Sequence, residues 1–168
     1  MQDIDRLFHQ YHGPLVRYLT RRLGDRDWAE EVAQETFVRA LRQTELQNER
    51  AWLFAVATNL VRDDARKEAR RRRHLELLAA EAKDAVAEMP NDLERAEERA
   101  LARKAIDTLT ERDREALLMR EEGLDYNEIA EALELSVASV GTTLSRARRR
   151  LVEAYEELRQ LSEGRRTG

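Results

Sequence analysis

The chain of 168 residues has no cysteine, only two prolines and six glycines, and few aromatic residues. The lack of cysteine excludes disulfides, thiol nucleophiles and cysteine-based zinc sites. A β-sandwich or barrel needs many turn signals and β-branched runs, and this sequence offers neither. The abundant alanine, leucine, glutamate and arginine instead favour helix at most positions. The composition therefore predicts an all-α fold.

Long apolar runs and the usual catalytic motifs are also missing. No stretch approaches the ~20 apolar residues that cross a bilayer, and the first residues do not resemble a secretory signal. We therefore expect a soluble, cytoplasmic protein. The sequence has no glycine-rich phosphate loop and no nucleophile elbow, so we expect no enzyme activity and no cofactor. His9 and His12 lack a third ligand, and no metal site is expected.

Charge is unevenly distributed, although the formal net charge is only −4. Residues 1–75 carry 15 basic and 12 acidic side chains, residues 76–113 carry 6 and 11, and residues 114–168 carry 9 and 11. Arginines cluster at positions 70–73 and again at 146 and 148–150. Binding to nucleic acid depends more on where basic residues cluster than on the net charge of the whole chain. The acidic net charge therefore does not exclude a nucleic-acid partner.

Apolar residues at helical spacing predict two small helical domains joined by a flexible linker. Residues 1–75 are predicted to form a three-helix bundle. Residues 76–92 have weak periodicity and contain Met-Pro-Asn at positions 89–91, which predicts a linker. Residues 93–161 are predicted to form the second domain, and residues 162–168 a frayed tail.

Turn and capping residues predict where the helices of the first domain begin and end. Gly24 is placed to end the first helix, which contains Pro14 as a possible kink. Asp25 or Asp27 can cap the second helix, and the third is predicted from about Arg50.

Residues 125–151 read as a short helix, a tight turn and a longer helix, DYNEIAEALELSVASVGTTLSRARRRL. Asp125 and Glu128 have the spacing of a capping box, and Ser136 can cap the second helix. Such a helix-turn-helix places its second helix in the major groove of DNA. The residues expected to face the DNA are Ser136, Ser139, Thr142, Thr143, Ser145, Arg146, Arg148 and Arg149. A helical hairpin with a solvated basic face remains the alternative.

Two separated segments of the chain resemble one known family. They are WAEEVAQETFVRALR with RAWLFAVATNLVRDDARKEARRR in the first half, and LTERDREALLMREEGLDYNEIAEALELSVASVGTTLSRARRRL in the second. Together they are similar to sigma factors of bacterial RNA polymerase, in the extracytoplasmic-function (ECF) group of the sigma-70 superfamily. The resemblance implies binding to core RNA polymerase, recognition of −10 and −35 promoter elements, transcription initiation in a stress response, and control by an anti-sigma factor.

The resemblance also implies a role for individual positions. The surface for core polymerase corresponds to Asp27, Glu30, Glu31, Gln34, Glu35, Phe37 and Arg39. The residues that bind the −10 element correspond to Asn59, Arg62, Asp63, Arg66, Arg70 and Arg71. The loop that holds a flipped base corresponds to residues 43–50. The residues that bind the −35 element correspond to the helix-turn-helix face given above. Trp52 and Phe54 are candidates for base stacking, with core packing favoured for Trp52 and left open for Phe54.

The sequence departs from the family pattern in the helix-turn-helix. Glu134 stands at the turn where the family usually has glycine, and a left-handed backbone there costs a non-glycine residue roughly 1 kcal/mol. Gly141 and Thr143 stand where recognition helices often carry basic residues. The −35 sequence preference therefore does not transfer from relatives.

Two other classes of function compete with the sigma-factor hypothesis. A dimeric helix-turn-helix regulator would bind a symmetric duplex operator without polymerase, using residues 1–75 as a sensor. An interaction protein would use both modules to bind another protein. A sensor needs a pocket, whereas residues 1–75 are predicted to form a compact bundle with one acidic strip and one basic edge, which favours the sigma factor.

Overall fold

The computed structural model describes residues 3–64, 72, 73, 76 and 90–167, with only the backbone at 90–92. All regular secondary structure in these ranges is helical, which confirms the all-α prediction. The helices are α1 (Ile4–Leu23), α2 (Arg26–Leu41), α3 (Glu49–Asp63), α4 (Pro90–Asp107), α5 (Glu111–Glu121), α6 (Tyr126–Leu133) and α7 (Val137–Arg166). None of them is both long enough and apolar enough to span a membrane.

Helices α1, α2 and α3 form the predicted bundle. Helix α1 runs through Pro14 without a break and ends at Gly24, whose φ of 74° is left-handed and suits glycine. Asp25 caps α2 by accepting a hydrogen bond from the Trp28 backbone N–H at 3.2 Å. In the core, the hydroxyl groups of Tyr18 and Thr58 are 2.7 Å apart, and burial raises the pKa of Tyr18.

Helices α4 to α7 form the second half. Thr110 caps α5 by accepting a hydrogen bond from the Asp113 backbone N–H at 3.3 Å. The Asp113 carboxylate accepts hydrogen bonds from Arg146 of α7. Helix α7 packs against α4, α5 and α6, and Val140, Leu144 and Ala147 in its first half are fully buried.

The two halves pack directly against each other. Helix α3 contacts α6, and α1 contacts α5. One continuous apolar cluster contains Tyr18 and Phe54 from the first half and Met119, Ile129 and Leu133 from the second. The free chain therefore adopts a closed arrangement, in which the surfaces between the halves are already occupied.

Two boundaries differ from those predicted. Helix α4 begins at Pro90, so the last three residues of the predicted linker are helical; proline is well tolerated in the first turn of a helix. Helix α7 continues to Arg166, so residues 162–166 are not a frayed tail. In this last turn, Arg166 forms an exposed ion pair with Glu97 of α4. Most of the linker lies outside the described residues.

Candidate nucleic-acid interface

The helix-turn-helix forms as predicted, and its turn is held by side chains at both helix starts. Asp125 Oδ1 accepts a hydrogen bond from the Glu128 backbone N–H at 2.8 Å, and Glu128 Oε1 accepts one from the Asp125 N–H at 3.0 Å. Ser136 caps α7 in the same way from the Ser139 N–H at 3.1 Å. Between them, Glu134 adopts φ 55° and ψ 48°, so a glutamate occupies the left-handed position.

The start of α7 presents a polar surface to solvent. Ser136, Ser139 and Thr142 are exposed, and the Ser136 and Ser139 hydroxyls lie 2.7 Å apart. These small hydroxyl side chains can both donate and accept hydrogen bonds, as base edges require.

Thr143 is not part of this surface, contrary to the prediction. Its residue is only 5 % exposed. It lies three residues after Val140 and four before Ala147, both fully buried, so the helical period turns it toward the core. The sequence-based assignment of Thr143 to the −35 contacts is therefore wrong for this arrangement.

The arginines of α7 have three different surroundings. Arg146 donates two hydrogen bonds to the Asp113 carboxylate, at 3.1 and 2.7 Å, which raises the pKa of Arg146 and fixes the direction of its side chain. Arg149 is exposed. Arg148 is also exposed, but it lies at the edge of a groove between α4, α5 and α7. Arg149 and its neighbour Arg150 are exposed, and neither pairs with Asp113 nor lines the groove.

The predicted −10 residues on helix α3 have different surroundings. Asn59 and Asp63 are exposed. Arg62 instead donates hydrogen bonds to both oxygens of Glu115, at 2.8 and 3.1 Å, and the Glu115 side chain is fully buried. Arg66, Arg70 and Arg71 lie outside the described residues.

The segment predicted to hold a flipped base is attached to the helix-turn-helix. The Asn48 amide donates a hydrogen bond to Glu131 at 2.7 Å, and Arg50 donates two to Glu128, both at 2.7 Å. The hydrogen bond from Arg50 lowers the pKa of Glu128. In the closed arrangement, two residues of the segment predicted to hold a base, Asn48 and Arg50, therefore have protein partners.

The two candidate stacking aromatics belong to the core. Phe54 is fully buried, with its ring centroid 5.1 Å from that of Tyr18, so the core alternative is correct for it. Trp52 is half-buried and packs against the same cluster, as the sequence favoured.

The acidic strip on α2 is a real surface feature, with one exception. The residues exposed along it are Asp27, Glu30, Glu31, Gln34, Glu35 and Arg39. Phe37 is buried, and its ring centroid lies 5.3 Å from that of Phe8. It therefore packs α2 against α1 and is not exposed to polymerase in this arrangement. Two exposed apolar residues, Val38 and Leu41, lie beside the strip.

A set of polar contacts between the halves was not predicted. In each, the first half supplies the donor and the second half the carboxylate. The pairs are Arg17–Glu122, Arg22–Glu111, Asn48–Glu131, Arg50–Glu128 and Arg62–Glu115. The only signal in the sequence is the excess of basic residues before position 76 and of acidic residues after it. No cluster that could hold a metal ion occurs among the described residues.

Family comparisons agree with the two signatures. The family model for sigma-70 region 2 matches residues 7–71, and the model for sigma-70 region 4 matches residues 99–151. The chain is 32 % identical over 146 residues to the ferric citrate uptake sigma factor FecI of Escherichia coli, covering 84 % of each protein. It is 30 % identical over 167 residues to the RNA polymerase sigma factor YlaC of Bacillus subtilis, covering 94 % of this chain and 95 % of YlaC.

Two solved structures have a similar fold. One is the sigma factor RpoE of Bartonella quintana in complex with the anti-sigma factor NepR, with a TM-score of 0.64 over 93 % of this chain and 98 % of that one. The other is CnrH in complex with the cytosolic domain of CnrY, with a TM-score of 0.65 over 92 % of this chain and 88 % of CnrH. Each is 22 % identical to this chain, so the likeness concerns the fold.

Proposed function

Because the chain belongs to the ECF group of the sigma-70 family of RNA polymerase sigma factors, we propose that it binds core RNA polymerase and directs it to two-element promoters. The protein supplies recognition and no catalytic step of its own. The observation that carries the proposal is the exposed face of Ser136, Ser139 and Thr142 on the second helix of a well-capped helix-turn-helix.

The second half reads the −35 element in this proposal. Helix α7 enters the major groove with its first turns, where the three hydroxyl residues meet base edges. Arg146 and Arg149 bind phosphates on either side of the reading positions. Arg146 is well suited to this role, because Asp113 holds its guanidinium in a fixed direction before DNA arrives.

The first half holds the −10 element and the polymerase. Asn59 and Asp63 face the unpaired strand, and Arg62 joins them when it leaves Glu115. Arg66, Arg70 and Arg71 add phosphate contacts. The acidic strip of α2, with Val38 and Leu41 at its edge, docks on core polymerase, where exposed apolar residues beside charged ones are typical of an interface.

The closed arrangement must open for both elements to be bound. The −10 and −35 elements are centred about 25 base pairs apart, or roughly 85 Å along straight DNA at ~3.4 Å per base pair. A compact domain of this length has a radius of gyration of about 15 Å and thus a diameter of roughly 40 Å. The closed chain cannot reach both elements, so polymerase binding must separate the halves and break the ion pairs between them.

Regulation and location follow from the same assignment. We propose an anti-sigma factor as a partner that keeps the chain away from polymerase, and a cytoplasmic location, where promoter DNA and polymerase are found. The RpoE and CnrH structures, each solved with a partner protein, support this as analogues of fold only.

The test is run-off transcription by core RNA polymerase on a promoter library, with and without the protein. We expect specific initiation that Asn59→Ala or Arg146→Ala reduces at least tenfold. Gln160→Ala and Arg165→Ala are matched controls, because both remove exposed side chains near the far end of α7. These controls should transcribe like wild type.

A different result would support the competing hypothesis. If the protein does not stimulate polymerase but binds a symmetric duplex tightly by itself, it is a conventional helix-turn-helix regulator. If it does neither, both DNA-binding assignments are wrong.

A further inference from the structure

A pocket of about 370 Å³ lies between helices α1 and α2 of the first half. Three arginines line it, Arg17 and Arg21 from α1 and Arg26 from α2, and Glu30 is the only carboxylate among the described lining residues. The volume is near the lower end of the range for small-molecule sites, about 300–1,000 Å³. The excess of positive charge favours an anionic ligand.

Arg17 is already oriented for such a ligand. Its Nε donates hydrogen bonds to both oxygens of Glu122, at 3.3 and 3.2 Å, and the Glu122 side chain is only 7 % exposed. Within the described residues the two Nη groups of Arg17 make no hydrogen bond, so their donors are available. Gly13 gives them room, because a Cβ there would lie 3.3 Å from Arg17 Nη1, closer than most van der Waals contacts.

The other two arginines of the pocket are exposed and weakly compensated. Arg21 makes no ion pair among the described residues. Arg26 pairs with Glu30, one turn later on the same helix, at 3.3 Å. At least half of each side chain in that pair is exposed, so the ion pair contributes little to stability. A ligand can therefore replace Glu30 as the partner of Arg26.

An aromatic pair lies at the same pocket. His12 belongs to the lining, and its ring stacks on that of Phe8 with centroids 4.3 Å apart and an angle of 25° between the planes. Phe8 is itself 45 % exposed. Nucleobases stack on aromatic side chains whatever the base, because every base has a π-face.

We propose that this pocket binds a single nucleoside diphosphate or triphosphate. The phosphates accept hydrogen bonds from Arg17, Arg21 and Arg26, which guanidinium groups donate in a geometry that suits phosphate oxygens. The base lies against the ring of His12. The binding site does not depend on the proposed function, because the pocket exists in the free chain.

The lining favours a nucleotide over an apolar ligand or a peptide helix. Val16 supplies the only aliphatic side chain of the described lining, and Val16 is itself buried. An amphipathic helix would therefore find no apolar floor to cover, whereas a small polar anion loses little by staying partly in water.

The length of the pocket favours one nucleotide over a nucleic-acid strand. His12 and Arg21 are nine residues apart on α1, which is roughly 14 Å along the helix. Sites for single strands extend over about 4–16 nucleotides and use several aromatic side chains for successive bases. Here one stacked pair, Phe8 with His12, lies beside one group of arginines.

The experiment is isothermal titration calorimetry of the full-length protein with ADP, adenosine and inorganic pyrophosphate. It is done at pH 8, at constant ionic strength and without magnesium, so that the arginines meet the free phosphates. We expect ADP to bind at least fivefold more tightly than pyrophosphate, which is the low end of the contribution of one stacked base. Adenosine, which has no phosphate, should bind at least tenfold more weakly than ADP.

Two arginine variants locate the phosphate site. Arg21→Gln with Arg26→Gln should weaken ADP and pyrophosphate alike, by about tenfold or more. The matched control, Arg42→Gln with Arg112→Gln, removes the same charge at exposed positions outside the described lining and should bind both ligands like wild type.

Two histidine variants test the stacking role separately. His12→Ala should remove the preference for ADP over pyrophosphate while pyrophosphate binding persists, which also shows that the variant is folded. His12→Phe keeps an aromatic ring and should keep the preference. Loss of the preference in both variants would contradict stacking on this ring.

Four further results would overturn the proposal. The first is no binding of ADP, and the second is equal weakening by the pocket variant and the control variant. The third is pyrophosphate binding as tight as that of ADP, which would make the pocket a site for phosphate alone. The fourth is tighter binding of single-stranded oligothymidine than of ADP, with the same dependence on Arg21 and Arg26, which would make the pocket part of a nucleic-acid surface. None of these measurements uses polymerase or promoter DNA, so the proposed function keeps its own test.

Discussion

Arg62 on α3 donates a hydrogen bond at 2.8 Å to Glu115 of α5, a carboxylate with no exposure to solvent. The two residues are 53 positions apart in the chain and belong to different halves. Arg62 is also a residue proposed to contact the −10 strand. The same guanidinium therefore cannot serve the closed arrangement and the promoter at one time, which couples opening of the halves to DNA binding.

Removing the arginine should destabilise the closed chain. Arg62→Ala leaves the fully buried Glu115 carboxylate without this partner and should lower the free energy of unfolding by about 3 kcal/mol, the lower part of the range for breaking a buried pair. Urea denaturation measures it. The Arg62→Ala, Glu115→Ala double variant should be less destabilised than the sum of the two single variants. An additive result would show that the two side chains do not interact.

Acid should weaken the contact between α3 and α6. The hydrogen bond from Arg50 holds the pKa of Glu128 below its ordinary value of 4.5. Its stabilising contribution is therefore complete above the unfolded-state pKa and is lost as the pH falls through the lower folded-state pKa. Urea denaturation from pH 6 downward should show the wild type losing its advantage over Glu128→Gln below about pH 4.5. Glu153→Gln, at an exposed position, is the control and should keep a constant difference from wild type.

Replacing Glu134, the residue with left-handed backbone in the turn, by glycine should increase stability. Glu134 has a φ of 55°, which costs a residue with a side chain roughly 1 kcal/mol. Glu134→Gly should therefore raise the free energy of unfolding by up to about 0.5 kcal/mol, after the extra conformational entropy of glycine, about 0.5–1 kcal/mol, is subtracted from the relief of strain. A loss of stability on thermal or urea unfolding would show that the Glu134 side chain makes a favourable contribution that the strain does not offset.

Replacing Gly141 by alanine should stabilise the recognition helix without a steric clash in the free chain. A Cβ there would lie 3.7 Å from Cε2 of Tyr126, an ordinary contact. Gly141→Ala should add up to about 1 kcal/mol to stability, because alanine is the better helix former. If the glycine exists for close approach of DNA, promoter-dependent transcription should fall while stability rises. Unchanged transcription would show that the backbone at this position stays clear of DNA.

Exposure should decide which hydroxyls of α7 matter for the promoter. Ser139→Ala should change sequence preference at the −35 element by about 1 kcal/mol at one base pair, the net value of a single hydrogen bond. Thr143→Val should leave that preference unchanged, because Thr143 is buried. Transcription from a library of −35 variants compares the two. A shift in preference with Thr143→Val would restore the sequence-based assignment and require α7 to turn or repack on DNA.

Local features of the fold could be predicted from the sequence, because their causes are local. The capping box of Asp125 and Glu128 follows from a three-residue spacing, and the end of α1 follows from Gly24. The burial of Thr143 was not predicted, because a small hydroxyl side chain next to Thr142 suits the polar face of the helix, although its three- and four-residue spacing from Val140 and Ala147 belongs to the core.

Contacts between distant segments could not be predicted in the same way. Arg50 and Glu128 are 78 residues apart, and nothing in the spacing of either identifies its partner. The sequence around an arginine near a DNA-binding helix does not indicate whether its partner is a phosphate or a buried carboxylate. The closed packing of the halves therefore needed the structure.

The most direct measurement is the distance between the halves before and after promoter binding. Because the chain has no cysteine, Gln47→Cys with Asn127→Cys can carry a donor and an acceptor dye at two exposed positions, one in each half. Energy transfer should be high in the free protein and fall sharply when core polymerase and promoter DNA are added. High transfer in a complex that still transcribes would contradict the account, because the halves would then read the promoter without separating.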